Sequence, residues 1–265
     1  MSLTNSLITE LLQTALLAVQ AAGQYIFESI DKVLEINYKG RANIVTQVDR
    51  GSEDIIISVI KEKFPDHSIM AEERPAINTT SDYKWIIDPL DGTTNYIHGF
   101  PIFSISIALA LRNEVILGVV YDPIKYELYS AIKNFGAYLN KKKIRVSTVK
   151  KLTTALVATG FPYEVRENFF LNMKIFQNMY KNTQGVRRAG SAALDLCYVA
   201  CGRLDGFWEF ELNPWDIAAG ALIVKEAGGL ITNTENNPYC LEDKHIIASN
   251  QLIHSEIYKI ISTTS

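Results

Sequence analysis

The stretch WIIDPLDGTTNYIHG, residues 85–99, opens as a buried strand and then sets two carboxylates, Asp88 and Asp91, beside a glycine and two threonines. Pro89 and Gly92 suit a turn, but a turn alone does not call for two acids three positions apart. A strand that closes on paired charges predicts a sheet whose end carries a site, because the element fixes the groups while its tip stays open.

Upstream, HSIMAEE (67–73) reads as a second short strand ending in Glu72 and Glu73. Before it, Ile55, Ile56, Val59 and Ile60 predict a helix over 48–64 stopped by Pro65, with Asp49 at its start. Farther back, Ile8, Leu12, Ala15, Leu16, Val19 and Ala22 predict a first helix reaching about Ile30. Both helices are amphipathic covers for a flat partner. Downstream, FSISIALAL and EVILGVVY flank Arg112 and Asn113 and predict a long hairpin over 103–121, followed by strands near 127–132 and 136–139.

The second half alternates strand and helix: ALVATG (155–160), a helix over 167–180, QGVRR (184–188), a helix over 191–201, then DGFWEF (205–210). A helix over 215–227 follows, stopped by Gly228 and Gly229, then a strand, HIIAS (245–249), and a helix from Asn250. Asp216 falls in the first turn of the 215–227 helix. Such mixed order predicts an α/β protein of stacked helix and sheet layers, not a simple doubly wound repeat. With no internal repeat, low-complexity tract or flexible linker, a single domain over 1–265 is expected, with two sub-lobes meeting near 140–155.

Of 265 residues, 48% are apolar, enough for a sizeable core. A net charge of −3, with acids and bases interspersed, gives no electrostatic grip on nucleic acid or an anionic membrane. Three cysteines without paired spacing point to a reducing compartment, the cytoplasm. The opening MSLTNSLITELL lacks a basic segment and argues against a signal peptide. The apolar run from Phe103 is cut by Arg112, Asn113 and Glu114, so it fails as a membrane span.

Asp49, Glu72, Glu73, Asp88, Asp91 and Asp216 all fall at element ends. Gathered carboxylates raise each other's pKa, so a site of this kind holds a cation. Oxygen donors select a hard metal, Mg²⁺ first and Mn²⁺ second. Two such ions can activate a water and stabilise the leaving oxygen in phosphoryl transfer. Asp88 is placed to bridge two metals and Asp91 to bind one, with the N–H groups of Gly92 and Thr93 holding the phosphate. Each acid alone also has a plainer reading. DPLDGT is turn vocabulary, Glu72 and Glu73 make a solvated pair, and Asp216 complements a helix dipole.

Three segments, AEE (71–73), WIIDPLDGTTN (85–95) and PWDIAAGALIVKEAGG (214–229), resemble in order the signature regions of the inositol monophosphatase family. RRAGSAALDLCYVACGRLDGFWE (187–209) is similar to its bacterial SuhB-like branch, and the likeness covers nearly the whole chain. The resemblance implies an αβαβα sandwich, a homodimer, and a Mg²⁺-dependent phosphatase acting on a small phosphorylated polyol or sugar, first of all myo-inositol 1-phosphate. Lithium sensitivity is a further expectation.

It implies that Glu72, Asp88 and the Leu90 carbonyl hold one ion, that Asp88, Asp91 and Asp216 hold a second, and that Glu72 serves a weaker third. Thr93 with Asp49 would activate the attacking water, with Glu73 in support. Gly190, Ser191 and Glu209 would line the polyol pocket, and Lys39 would sit on a loop over the metals. Two features depart from the family pattern: Asn43 stands where aspartate is frequent, and Leu212, Asn213 and Pro214 differ from animal members near the substrate. Fructose 1,6-bisphosphate and nucleotide 3′-phosphates are alternative substrates. The Thr94-Asn95-Tyr96 sequence follows inositol phosphatases, where nucleotidases and histidinol-phosphate phosphatases tend to place lysine. A regulatory binding protein with secondary catalysis is the reading of a different class.

Two other phosphatase signatures fit poorly. Cys197 and Arg203 satisfy C-x₅-R, but they fall in a predicted helix, where Cys197 joins Leu194, Tyr198 and Cys201 in a core stripe. Asp88 and Asp91 are one residue too far apart for a D-x-D nucleophile, so no phosphoenzyme is expected. The four histidines are scattered, and Lys141, Lys142 and Lys143 read as a solvated turn.

Overall fold

Alternation along the central strands decides which helices cover which face. The computed structural model describes residues 5–30, 32, 36–38, 44–162 and 165–264. A small antiparallel pair, β1 (Ile36–Tyr38) and β2 (Ile44–Thr46), stands apart from two mixed sheets. The larger sheet takes its seven strands in sequence order: β3 (Ser68–Ala71), β4 (Tyr83–Asp91), β5 (Ser104–Leu111), β6 (Glu114–Asp122), β7 (Glu127–Ile132), β8 (Gly136–Leu139) and β9 (Lys142–Lys143). Within this sheet, among the described residues, β3 and β4 pair in parallel and the other neighbours antiparallel.

Trp85 and Ile87 of β4, Ile105, Ile107 and Leu109 of β5, and Leu117 and Val119 of β6 face one way, onto α1 (Asn5–Glu28) and α2 (Gln47–Lys63). The residues between them, Ile86, Ala108, Ala110 and Val120, face a second helical layer of α5 (Ala192–Ala200) and α6 (Pro214–Glu226). That face is lined by small residues, so α6 comes close: a Cβ on Gly118 would lie 2.7 Å from the Ala219 carbonyl oxygen.

Beyond α5 and α6 lies the five-stranded sheet, with β10 (Leu156–Thr159), β11 (Gly185–Arg187), β12 (Gly206–Glu209), β13 (Leu230–Asn233) and β14 (Ile246–Ser249) in the order β11-β10-β12-β14-β13. Its far face carries Val157, Trp208 and Ile247 onto α4 (Glu167–Asn182) and α7 (His254–Thr264). The layers therefore run helix, sheet, helix, sheet, helix, the expected αβαβα sandwich. A short helix, α3 (Thr93–Ile97), is a single turn leaving β4.

Several boundaries differ from the sequence expectations. The strand after residue 83 continues past Asp88 to Asp91, because Asp88 pairs with Ser106 and Asp91 with Ser104 around a bulge. The first helix stops at Glu28, and the last begins at His254, four residues after Asn250. Lys142 and Lys143 form an exposed edge strand, and only Asn140 and Lys141 make the turn before it (φ 47° and 67°). The hairpin turn at Arg112 and Asn113 has both residues left-handed (φ 52° and 67°), as the right-handed strand twist prefers.

Among the described residues α1 is long and apolar enough to cross a membrane, but Leu11, Ala15, Ala18, Val19, Ala22 and Ile26 are buried against the large sheet. Cys197 is fully buried in the central core, where burial pushes its thiol well up, so the C-x₅-R spacing reflects packing.

Candidate active site

The buried stripe of α2 turns polar at its N-terminal end. Ile60, Ile57 and Ile56 continue back to Glu53, Ser52 and Asp49, all buried on the same face. Each of these three polar groups grips a different segment of the site. Asp49 takes part in a capping box: its Oδ2 accepts from the Thr46 N–H (2.8 Å) and hydroxyl (2.6 Å). Its Oδ1 lies 2.7 Å from Thr93 Oγ1, which also lies 3.0 Å from the Leu90 carbonyl oxygen. The Ser52 hydroxyl donates to the Pro89 carbonyl (2.8 Å), and Glu53 accepts from the Glu73 N–H (2.9 Å) and pairs with Arg74 (2.5 Å). One helix face thus fixes the end of β4 and the segment carrying Glu72 and Glu73.

The acids meet where the two halves of the chain face each other. Asp88 is buried, with Oδ1 accepting from the Leu90 N–H (3.0 Å). Burial, then the charges of Glu72, Asp91 and Asp216, push its carboxyl well above the ordinary range. Burial raises Asp91 to about 6, against the pull of the Ser191 hydroxyl. Its Oδ2 accepts from that hydroxyl (2.6 Å) and from the Ala193 N–H (2.8 Å), so a β4 carboxylate caps α5. Asp216 is raised to about 7, again chiefly by burial, and closes a second capping box with the Asn213 N–H (2.7 Å). Burial also raises Asp49.

Among the described residues no three His, Cys, Asp or Glu side chains form a closed ligand cluster. Asp88, Asp91 and Asp216 share one neighbourhood, each with one oxygen held by a backbone N–H. An all-oxygen donor set whose members repel one another fits a hard divalent cation.

Glu209, at the end of β12, has its carboxylate against the Gly160 backbone, where a Cβ would lie 2.0 Å from Oε1. Burial, then Asp195 and Asp216, push it well up, while Arg188 draws it down. Gly92 (φ 97°) and Gly190 (φ 90°) pass in backbone contact: a Cβ on Gly92 would lie 3.1 Å from the Gly190 carbonyl oxygen. Ser191, expected in the polyol pocket, points its hydroxyl at Asp91. Glu73 is tied through its backbone to α2, and Lys39 and Asn43 lie outside the described residues.

Sequence reasoning missed Ser52, Glu53 and Asp195. The signal for the first two was polar residues continuing an apolar stripe. Asp195 gave none, yet it is buried with Oδ1 unpartnered among the described residues, in a region shared with Asp91 and Glu209.

A family model described as "Inositol monophosphatase family" matches residues 7–264. The chain is 45% identical to an inositol-1-monophosphatase of Synechocystis sp. over 96% of this chain and 89% of that protein. It is 44% identical to the Nus factor SuhB of Pseudomonas aeruginosa over 96% of this chain and 95% of that one. The crystal structure of the extragenic suppressor protein suhB from Bartonella henselae superposes with a TM-score of 0.92 at 37% identity, covering 95% of this chain and 98% of that one.

Proposed function

From the premise that this chain belongs to the inositol monophosphatase family, we propose that it is a Mg²⁺-dependent phosphomonoesterase converting myo-inositol 1-phosphate to inositol and phosphate. Phosphatase activity is the family's common ground; the substrate and the metal are the added steps. In this reading Glu72, Asp88 and the Leu90 carbonyl would hold one ion, Asp88, Asp91 and Asp216 a second, and Glu72 a third. The ions would supply charge neutralisation for the phosphate and acidify the attacking water.

The chain's own groups then divide the remaining work. Thr46 holds Asp49 Oδ2, which leaves Oδ1 to receive the Thr93 proton. Thr93, having donated to Asp49, can accept from a water and pass its proton inward. Burial raises Asp49, which makes it a stronger base than an exposed aspartate. The backbone N–H groups of Gly92 and Thr93 take the phosphate oxygens, and Gly190, Ser191 and Glu209 border the alcohol. Glu73 supports the water. A cytoplasmic homodimer of single-domain chains completes the proposal.

The observation that carries it is the fully buried Asp88 under the combined charge of Glu72, Asp91 and Asp216, an arrangement that a divalent cation relieves. The test is phosphate release by the purified chain from myo-inositol 1-phosphate, fructose 1,6-bisphosphate, a nucleotide 3′-phosphate and histidinol phosphate, with Mg²⁺ or with excess chelator. The inositol ester is expected to be cleaved fastest, and only with metal. Undiminished release in chelator would end the mechanism, and preference for another ester would replace the substrate. The similarity to a Nus factor favours a second reading, a regulatory binding role, which would persist in an Asp91→Asn variant that has lost turnover.

A further inference from the structure

The Asn95 side chain joins three stretches of backbone. Its Nδ2 lies 2.7 Å from the Ile102 carbonyl oxygen, 2.8 Å from that of Ala189 and 3.5 Å from that of Gly190. The three backbone groups it reaches are carbonyl acceptors, so the NH₂ end faces them, and its two hydrogens serve Ile102 and Ala189. Asn95 sits on α3, one turn past Gly92; Ala189 and Gly190 come from the other half of the chain, in the segment entering α5. The contact is tight: a Cβ on Gly190 would lie 3.0 Å from Asn95 Nδ2 and 2.8 Å from the Arg188 guanidinium.

We propose that Asn95 is a positioning residue for alcohol-side specificity, mooring the Ala189–Gly190 backbone at a fixed distance from the turn that carries Gly92 and Thr93. The inference rests on the phosphatase reading, in which the phosphate lies against Gly92 and Thr93 and the alcohol against the 189–191 segment. The distance between those two stretches then sets which alcohol fits. Ser191 and Ala193 hold the same segment independently through Asp91. Cutting the Asn95 tether therefore shifts the segment without unfolding the site.

Asn95→Asp is the discriminating variant, because it keeps the shape and turns an acceptor onto carbonyl oxygens; Asn95→Ala removes the group. Both are compared with the unaltered chain on myo-inositol 1-phosphate and on p-nitrophenyl phosphate, whose flat alcohol makes little use of the polyol side. The expected result is a fall of roughly 10-fold or more in the ratio of kcat/KM for the polyol ester to that for the aryl ester, carried mainly by KM. Faster amide hydrogen exchange is expected over residues 189–193 in the full-length variants. An unchanged ratio, or equal losses on both esters with a lowered Tm, would overturn the specificity role. If the unaltered chain cleaves neither ester, the phosphatase reading has failed; unchanged exchange in Asn95→Asp would then refute the mooring too, and faster exchange would uphold it.

Discussion

At the residue scale, the site is a set of carboxylates whose folding places them at odds with one another. Asp91 and Asp216 are raised to about 6 and about 7, against an unfolded value of roughly 3.9. A carboxyl raised on folding stabilises the native state fully below the unfolded pKa, and that stability is lost as pH rises through the folded value. His67 and His254, both lowered to about 4 by burial, act the other way up to their unfolded value near 6.5, so in chelator Tm is expected to fall between pH 6.5 and pH 8, and saturating Mg²⁺ is expected to restore it most at pH 8. Differential scanning calorimetry with and without metal reads this; a metal-free Tm that climbs over that window would contradict the sign. Asp91→Asn removes one charge while keeping an acceptor for Ser191 and the Ala193 N–H. Turnover should drop by about 100-fold or more, while the metal-free Tm at pH 8 stays level or rises. A variant with near-normal turnover would remove Asp91 from the machinery.

At the element scale, placement depends on how the helices seat. Gly118 on β6 lets α6 lie against the large sheet, and α6 brings Asp216 toward Asp88. Gly118→Ala drives a methyl into the Ala219 backbone, so a destabilisation of about 1–3 kcal/mol is expected in urea unfolding, together with a larger KM for Mg²⁺. The N-terminal turn of α2 is a second seat. Thr46→Ala removes the hydroxyl that both caps the helix and holds Asp49, and should cost about 1 kcal/mol of stability. Its fall in kcat should exceed what that loss of stability explains. Much of this was legible: the apolar periods announced both covering helices, and DPLDGT at a strand end announced the candidate site. Less was legible where tertiary contacts override local pattern. Residues 89–91 continue β4 despite the proline, because Asp91 regains its pairing with Ser104 across the bulge. Strand β13 follows two glycines with only four residues, and it exists because β14 offers an edge for pairing. The bond from the Ser191 hydroxyl to Asp91 was not legible either, because local sequence cannot reveal that a β4 carboxylate approaches the N-terminus of α5.

At the scale of the whole molecule, the two sheets share their middle layer. The central core draws Ile86, Ala108 and Val120 from the large sheet and Ala158, Phe207 and Ile246 from the small one, with α5 and α6 between. Neither sheet can shed those helices without exposing its own apolar face to water. The connection after β9, within the expected sub-lobe boundary near residues 140–155, is fastened to the small sheet's side: Ser147 Oγ donates to Asp205 Oδ1 (2.5 Å), and Asn250 Nδ2 reaches Ser147 Oγ and the Val149 carbonyl (2.8 Å each). Such coupling predicts one cooperative transition for the whole chain. The tryptophans test it: Trp85 lies in the core beneath α1 and α2, and Trp208 in the core beneath α4 and α7. A Trp208→Phe, Trp215→Phe variant reports through Trp85, and a Trp85→Phe variant reports through the other two. Within each variant the urea transitions by fluorescence and by far-UV circular dichroism should superimpose. Separated midpoints would mean that the two sheets unfold independently.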